Sequence, residues 1–119
     1  AYEEKDHEFC CAPNGFSGLE TSLAAVITNA YGPDKLSIDQ VVYYMSTRPA
    51  ELMRLDAGVL EVGKPADITV FSTTEAWTVD RNKFYTKGKV SPFDGMTVTG
   101  KAKLTVVDGK VVMKEGVVL

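Results

Sequence analysis

Hydrophobic periodicity changes once along this chain, at Gly58, and that change limits what the sequence can fold into. Before it, apolar residues recur at three- and four-residue steps; after it they sit in short β-branched runs. Leu19, Leu23, Val26, Ile27 and Tyr31 mark a first helix, opened by Ser17 and Glu20 at capping-box spacing and ended by Gly32-Pro33. Ser37 and Gln40 repeat the box ahead of Val41, Val42, Tyr44 and Met45. Pro49 suits the first turn of a third, short helix that runs through Leu52 and Leu55 to a stop at Gly58. Beyond it, "ADITVF" (66–71) and "WTV" (77–79) predict strands. "KLTVVDGKVVM" (103–113) predicts a hairpin turning at Asp108-Gly109. Lys64-Pro65 and Ser91-Pro92 punctuate the connections.

A chain of 119 residues has the length of one domain, enough to bury roughly 65% of its unfolded surface. Helices followed by strands ordinarily give an α+β domain. Two features argue against a self-contained one here. The first sixteen residues have no preceding element to hang from, and the helices carry more apolar face than the β part can cover. The expectation is the end of a larger molecule.

A formal charge of −3 gives no electrostatic reason to expect a nucleic acid or an anionic membrane as partner. No apolar run reaches the roughly 18 residues of a spanning helix. The opening "AYEEKDHEF" is charged and lacks the apolar centre of a signal peptide, which leads us to expect the cytoplasm. Cys10 and Cys11 are adjacent, with Cα atoms about 3.8 Å apart across a trans peptide. That is too close for ordinary disulfide geometry, and the spacing is not that of a zinc pair. Two reduced thiols are expected.

Catalytic chemistry is hard to build from what remains. His7 is the one histidine in the sequence, and a single histidine on a polar segment is expected in solvent. No HxH, HExxH or spaced Cys/His set occurs, so the chain offers no metal ligands and no catalytic residue of its own. What stands out is "APNGF". Pro13 fixes one φ, Asn14 and Gly15 both tolerate left-handed backbone, and a helix start follows at Ser17. Such a turn either aims N–H groups at an anion or is an ordinary loop before a helix.

Four segments together carry a resemblance. "GKPADITVF" is similar to the strand that re-enters the small β domain of metal-dependent cyclic amidohydrolases. "MSTRPAELMRLDAGVLEVGKPAD" is similar to the helix and turn before it, with Arg48 where an Asn is usual in that group. "APNGFSGLETSL" followed by "SPFDGMTVTGKAKLTVVDGKVV" resembles the dihydroorotases in particular; hydantoinases share the latter segment but tend to place Pro-Gly-Ile-Glu before the helix, where this chain has Ser17-Gly18-Leu19-Glu20. The resemblance covers essentially the whole chain.

It implies an α/β fold: the C-terminal fragment of a TIM-barrel metal-dependent hydrolase plus part of a small β-sandwich domain. Residues 1–57 would be the substrate loop and terminal helices of the (β/α)8 barrel, and 58–119 the strands of the composite sandwich. Asn14 and Gly15 match substrate-contact positions, flanked by Ala12 and Pro13. Zinc would be bound by residues outside this chain, and the catalytic Asp would lie upstream of Ala1. The implied reaction is the reversible hydrolysis of dihydroorotate to N-carbamoyl-L-aspartate in pyrimidine synthesis. An N-terminal part of the same enzyme is the implied partner, and a homodimer is compatible with it. The alternatives are a hydantoinase- or allantoinase-type enzyme, and a non-catalytic interaction module.

Overall fold

In the computed structural model, which describes residues 3–119, helical segments precede an antiparallel sheet. Helix α1 spans Ser22–Ala30 and starts later than its apolar spacing predicts. The two residues expected to cap it are engaged elsewhere. Ser17 Oγ donates to the Gly88 carbonyl, and the Glu20 carboxylate accepts from the N–H groups of Tyr85 and Thr86. Neither side chain is left to bond the helix start, so the first turn opens at Thr21. Leu19 falls outside the helix and is exposed.

The second box forms as expected. Ser37 Oγ accepts from the Gln40 N–H while Gln40 Oε1 accepts from the Ser37 N–H, and α2 (Ile38–Val42) begins. It does not end before the third helix. A π-helical stretch, Tyr43–Thr47, leads directly into α3 (Arg48–Met53). Pro49 has no N–H to give to the preceding turn, and wider π bonding next to it absorbs the missing link. The run stops at Arg54, which takes a left-handed conformation with φ 55°, and the Leu55 N–H reaches back to the Ala50 carbonyl at 2.9 Å. The helix therefore ends five residues before Gly58. The Gly58 carbonyl instead accepts from Thr47 Oγ1 at 2.8 Å, which folds the following loop back onto the helix.

Four strands follow: β1 (Ile68–Thr78), β2 (Thr97–Val107), β3 (Lys110–Lys114) and β4 (Val117–Val118), each antiparallel to the next and in sequence order. The two short strands expected at 66–71 and 77–79 are one strand. An irregularity between Ser72 and Ala76 interrupts its register, and there Ser72 Oγ accepts from the N–H groups of Thr74 and Glu75. The predicted hairpin is present, with positive φ at both Asp108 (49°) and Gly109 (73°) as a type I′ turn requires. Residues 66–67 latch onto it: Asp67 accepts from the Asp108 N–H at 2.7 Å, and the Gly109 N–H donates to the Ala66 carbonyl.

The core lies where α1 meets β2. Ala24, Val79, Phe84 and Val98 are buried together, with Trp77 and Phe93 packed at the side. Thr28 Oγ1 accepts from the Thr99 N–H at 2.8 Å and donates to its carbonyl at 3.2 Å, so the helix is bonded to the strand as well as packed on it. Ile27 sits directly over Gly100, whose carbonyl accepts from Trp77 Nε1 at 2.9 Å.

Charge pairing marks the far face of the sheet. Glu75 lies 2.5 Å from Lys103 and 3.0 Å from Lys101, and Lys103 also reaches Glu115 at 2.9 Å. Hydrogen bonds from Lys103 and then Lys101 hold the Glu75 carboxyl below its ordinary value. A depressed carboxylate stabilises the fold above that ordinary value and loses the contribution as pH falls through the folded one. Thermal midpoints measured from about pH 7 down to about pH 3 should therefore drop more steeply for the parent than for Glu75→Gln. Parallel curves would show that the cluster contributes nothing, as many exposed ion pairs do.

Candidate functional site

Residues 12–16 project from the start of the chain, and their base is fastened to the long connection between β1 and β2. The Ser17 N–H donates to the Val90 carbonyl at 2.8 Å, beside the Ser17 hydroxyl bond to Gly88. The two Glu20 oxygens accept from Tyr85 and Thr86 at 3.0 and 2.9 Å, and the Phe16 and Phe93 rings meet edge to face. A carboxylate receiving two N–H groups is a strong anchor because the charge reinforces both bonds. Replacing Glu20 with Ala should speed amide exchange at Tyr85 and Thr86 by about tenfold, the equivalent of losing one such bond at a solvent-accessible site. Unchanged exchange at those two amides would contradict the anchor.

Within the loop, Asn14 and Gly15 are exposed and Ala12 is half-buried; Gly15 has φ 90°. The Lys5 ammonium donates to the carbonyls of both Pro13 and Gly15. In a trans peptide the C=O and the following N–H point in opposite directions. Holding those two carbonyls therefore turns the N–H groups of Asn14 and Phe16 away from the lysine. Among the described residues, the N–H groups of Asn14, Gly15 and Phe16 have no acceptor. Consecutive unpaired amides on such a turn can receive an anion.

Sequence reasoning pointed to residues 12–15 and missed the parts that hold them. Lys5 carried no pattern signal, and the Glu20 and Ser17 partners lie more than sixty residues away. His7, Cys10 and Cys11 are exposed. Among the described residues, no three His, Cys, Asp or Glu side chains converge as a metal cage would require, so the residues present do not fit a catalytic metal ion. None of the helices among the described residues is long and apolar enough to cross a membrane.

Comparison with known proteins gives the family. Residues 13–112 match the Amidohydrolase family. The chain is 43% identical to the dihydroorotase of Acetivibrio thermocellus over 117 residues, 98% of this chain and 28% of that protein. Against the dihydroorotase of Clostridioides difficile it is 46% identical over 110 residues, 92% of this chain and 26% of that one. Among solved structures, L-hydantoinase (dihydropyrimidinase) from Arthrobacter aurescens superimposes with a TM-score of 0.86 at 41% identity, covering 92% of this chain and 25% of that enzyme. The chain thus spans about a quarter of the length of the relatives it matches. With residues 13–112 matched to the family and nearly all of its length aligned to these relatives at 41–46% identity, the chain belongs to the amidohydrolase family.

Proposed function

We propose that this chain works as the C-terminal part of a dihydroorotase, in the reversible hydrolysis of (S)-dihydroorotate to N-carbamoyl-L-aspartate during pyrimidine synthesis. The observation that carries the reading is the loop at 12–16, with its row of unpaired N–H groups and the Lys5 ammonium fixing the carbonyls between them. Dihydroorotate and its product both bear a carboxylate, the kind of group such a row receives. The identities of 43% and 46% to dihydroorotases support the same choice.

On this reading Asn14 and Gly15 contact the substrate, and Ala12 and Pro13 shape the approach. Residues 1–57 are the substrate loop and terminal helices of a barrel; 58–119 are strands of a composite β-sandwich. Family chemistry calls for zinc to polarise the ring amide, and no set of ligands for it converges among the described residues. They would come from the N-terminal part of the same enzyme, which is also the proposed partner. Several large apolar side chains stand open, Phe9 at 99% and Val62 at 103% among them, and a groove of about 780 Å³ runs between α2 and β1, lined by Val41, Met45, Leu60, Ile68 and Phe71. Surface of that kind is what a neighbouring part would cover. The assembled enzyme is placed in the cytoplasm.

A second reading has its own support in the 41% identity to an L-hydantoinase. Hydantoins whose side chain carries no carboxylate give the loop no anion to hold. In the intact enzyme, kcat/KM for dihydroorotate should exceed that for such a hydantoin by about tenfold or more, the value of one charge-assisted hydrogen bond. The opposite preference selects the hydantoinase reading.

A further inference from the structure

The turn before the loop holds two thiols with no structural task. Cys10 and Cys11 are free and exposed. The turn that carries them is closed by backbone bonds, from the N–H groups of Cys11 and Ala12 to the Glu8 carbonyl at 2.8 and 3.0 Å. Consecutive side chains on an extended strand point to opposite faces, yet this turn brings the two sulfurs to 3.6 Å.

That distance discriminates between chemistries. A disulfide needs the sulfurs about 2.05 Å apart, which would require the turn to distort. A linear bridge with metal–sulfur bonds of about 2.3 Å needs them about 4.6 Å apart. Two sulfurs on one bent, near-tetrahedral centre at the same bond length lie about 3.8 Å apart, close to what the turn already presents. The Glu8 carboxylate, 4.0 Å from the Cys10 sulfur, adds negative charge that suits an electropositive guest and opposes an anion. Thiolate sulfur is a soft ligand and selects soft, thiophilic centres.

We propose that Cys10 and Cys11 form a vicinal dithiol site that chelates one soft, thiophilic centre in bent geometry, of the class represented by trivalent organoarsenicals. With phenylarsine oxide as probe, both S–H bonds break and the two arsenic–oxygen bonds are replaced by two arsenic–sulfur bonds. The two protons leave with the oxide oxygen as one water. Arsenic stays trivalent, so no oxidant or reductant is needed.

The site stands independently of the activity proposed above, and its test reads binding. The intact reduced protein is titrated with phenylarsine oxide, digested, and the peptide carrying residues 8–12 is weighed. One equivalent should add a single phenylarsenic unit to that peptide and remove both of its titratable thiols. A 1,2-dithiol should reverse the adduct where a monothiol at equal thiol concentration does not. Because the second sulfur acts intramolecularly, Cys10→Ser and Cys11→Ser should each weaken binding by about a hundredfold or more. Both positions are exposed in this chain, and circular dichroism checks that the variants keep the fold. Absence of the adduct, reversal by a monothiol, or wild-type affinity in either serine variant would overturn the proposal.

Discussion

Gly100→Val is expected to unseat α1 from the sheet and cost the intact protein about 3–5 kcal/mol, among the largest effects of any single substitution. Two independent penalties meet there. Gly100 has φ 101°, a conformation that a β-branched residue adopts only under strain. A Cβ placed on it would also stand 2.8 Å from the Ile27 Cβ and 3.0 Å from both Ile27 γ-carbons, in a contact made by a buried, stiff side chain that cannot swing aside. Relief by moving the helix would break the paired bonds between Thr28 and Thr99 and disturb the Trp77 bond to the Gly100 carbonyl. Gly100→Ala separates the two penalties when combined with Ile27→Ala, because the smaller partner relieves the crowding and leaves the backbone strain. Denaturant midpoints of the four proteins give the coupling directly. A Gly100→Val protein within about 1 kcal/mol of the parent would mean that the helix is not seated as described.

This contact also shows what a sequence pattern withholds. Gly100 reads as one residue in a β-rich segment, and nothing near it names Ile27, seventy-three positions earlier. The features that were legible keep both of their partners within a few residues. Ser37 and Gln40 bond one another, and Asp108-Gly109 supplies its own positive φ values. Ser17 and Glu20 have the same spacing as the box that forms, but distant backbone in 85–88 competes for their oxygens and wins. The break expected between α2 and α3 is absent for a related reason: Pro49 suits a helix start, but π-helical bonding lets the chain run through it. Glu115 and Gly116 form a second positive-φ turn that leaves no pattern in the sequence, because β4 is only two residues long, too short for any periodicity. At the candidate site, the resemblance singled out Asn14 and Gly15; Lys5, which fixes the carbonyls around them, had no motif to announce it.

The second large effect concerns Gly15. Its φ of 90° is closed to side chains with a branched Cβ, yet a Cβ there would touch nothing within 4 Å. Gly15→Val therefore acts through the backbone alone. It should rotate the peptides that Lys5 holds and misdirect the N–H groups of Asn14, Gly15 and Phe16. Loss of one charge-assisted bond to a substrate carboxylate costs about 1.5–3 kcal/mol, roughly ten- to a hundredfold in kcat/KM. Asn14→Ala distinguishes backbone from side-chain contact at that position, since only a side-chain contact is lost. No metal ligand set lies among the described residues of this segment, so metal content should be unaffected.

Measuring kcat/KM for dihydroorotate per metal-loaded active site, in intact enzyme carrying Gly15→Val, tests the role of the loop most directly. A fall of about tenfold or more with full metal occupancy is the predicted result. A wild-type value in folded, metal-loaded protein would contradict the account and leave "APNGF" as an ordinary turn before a helix.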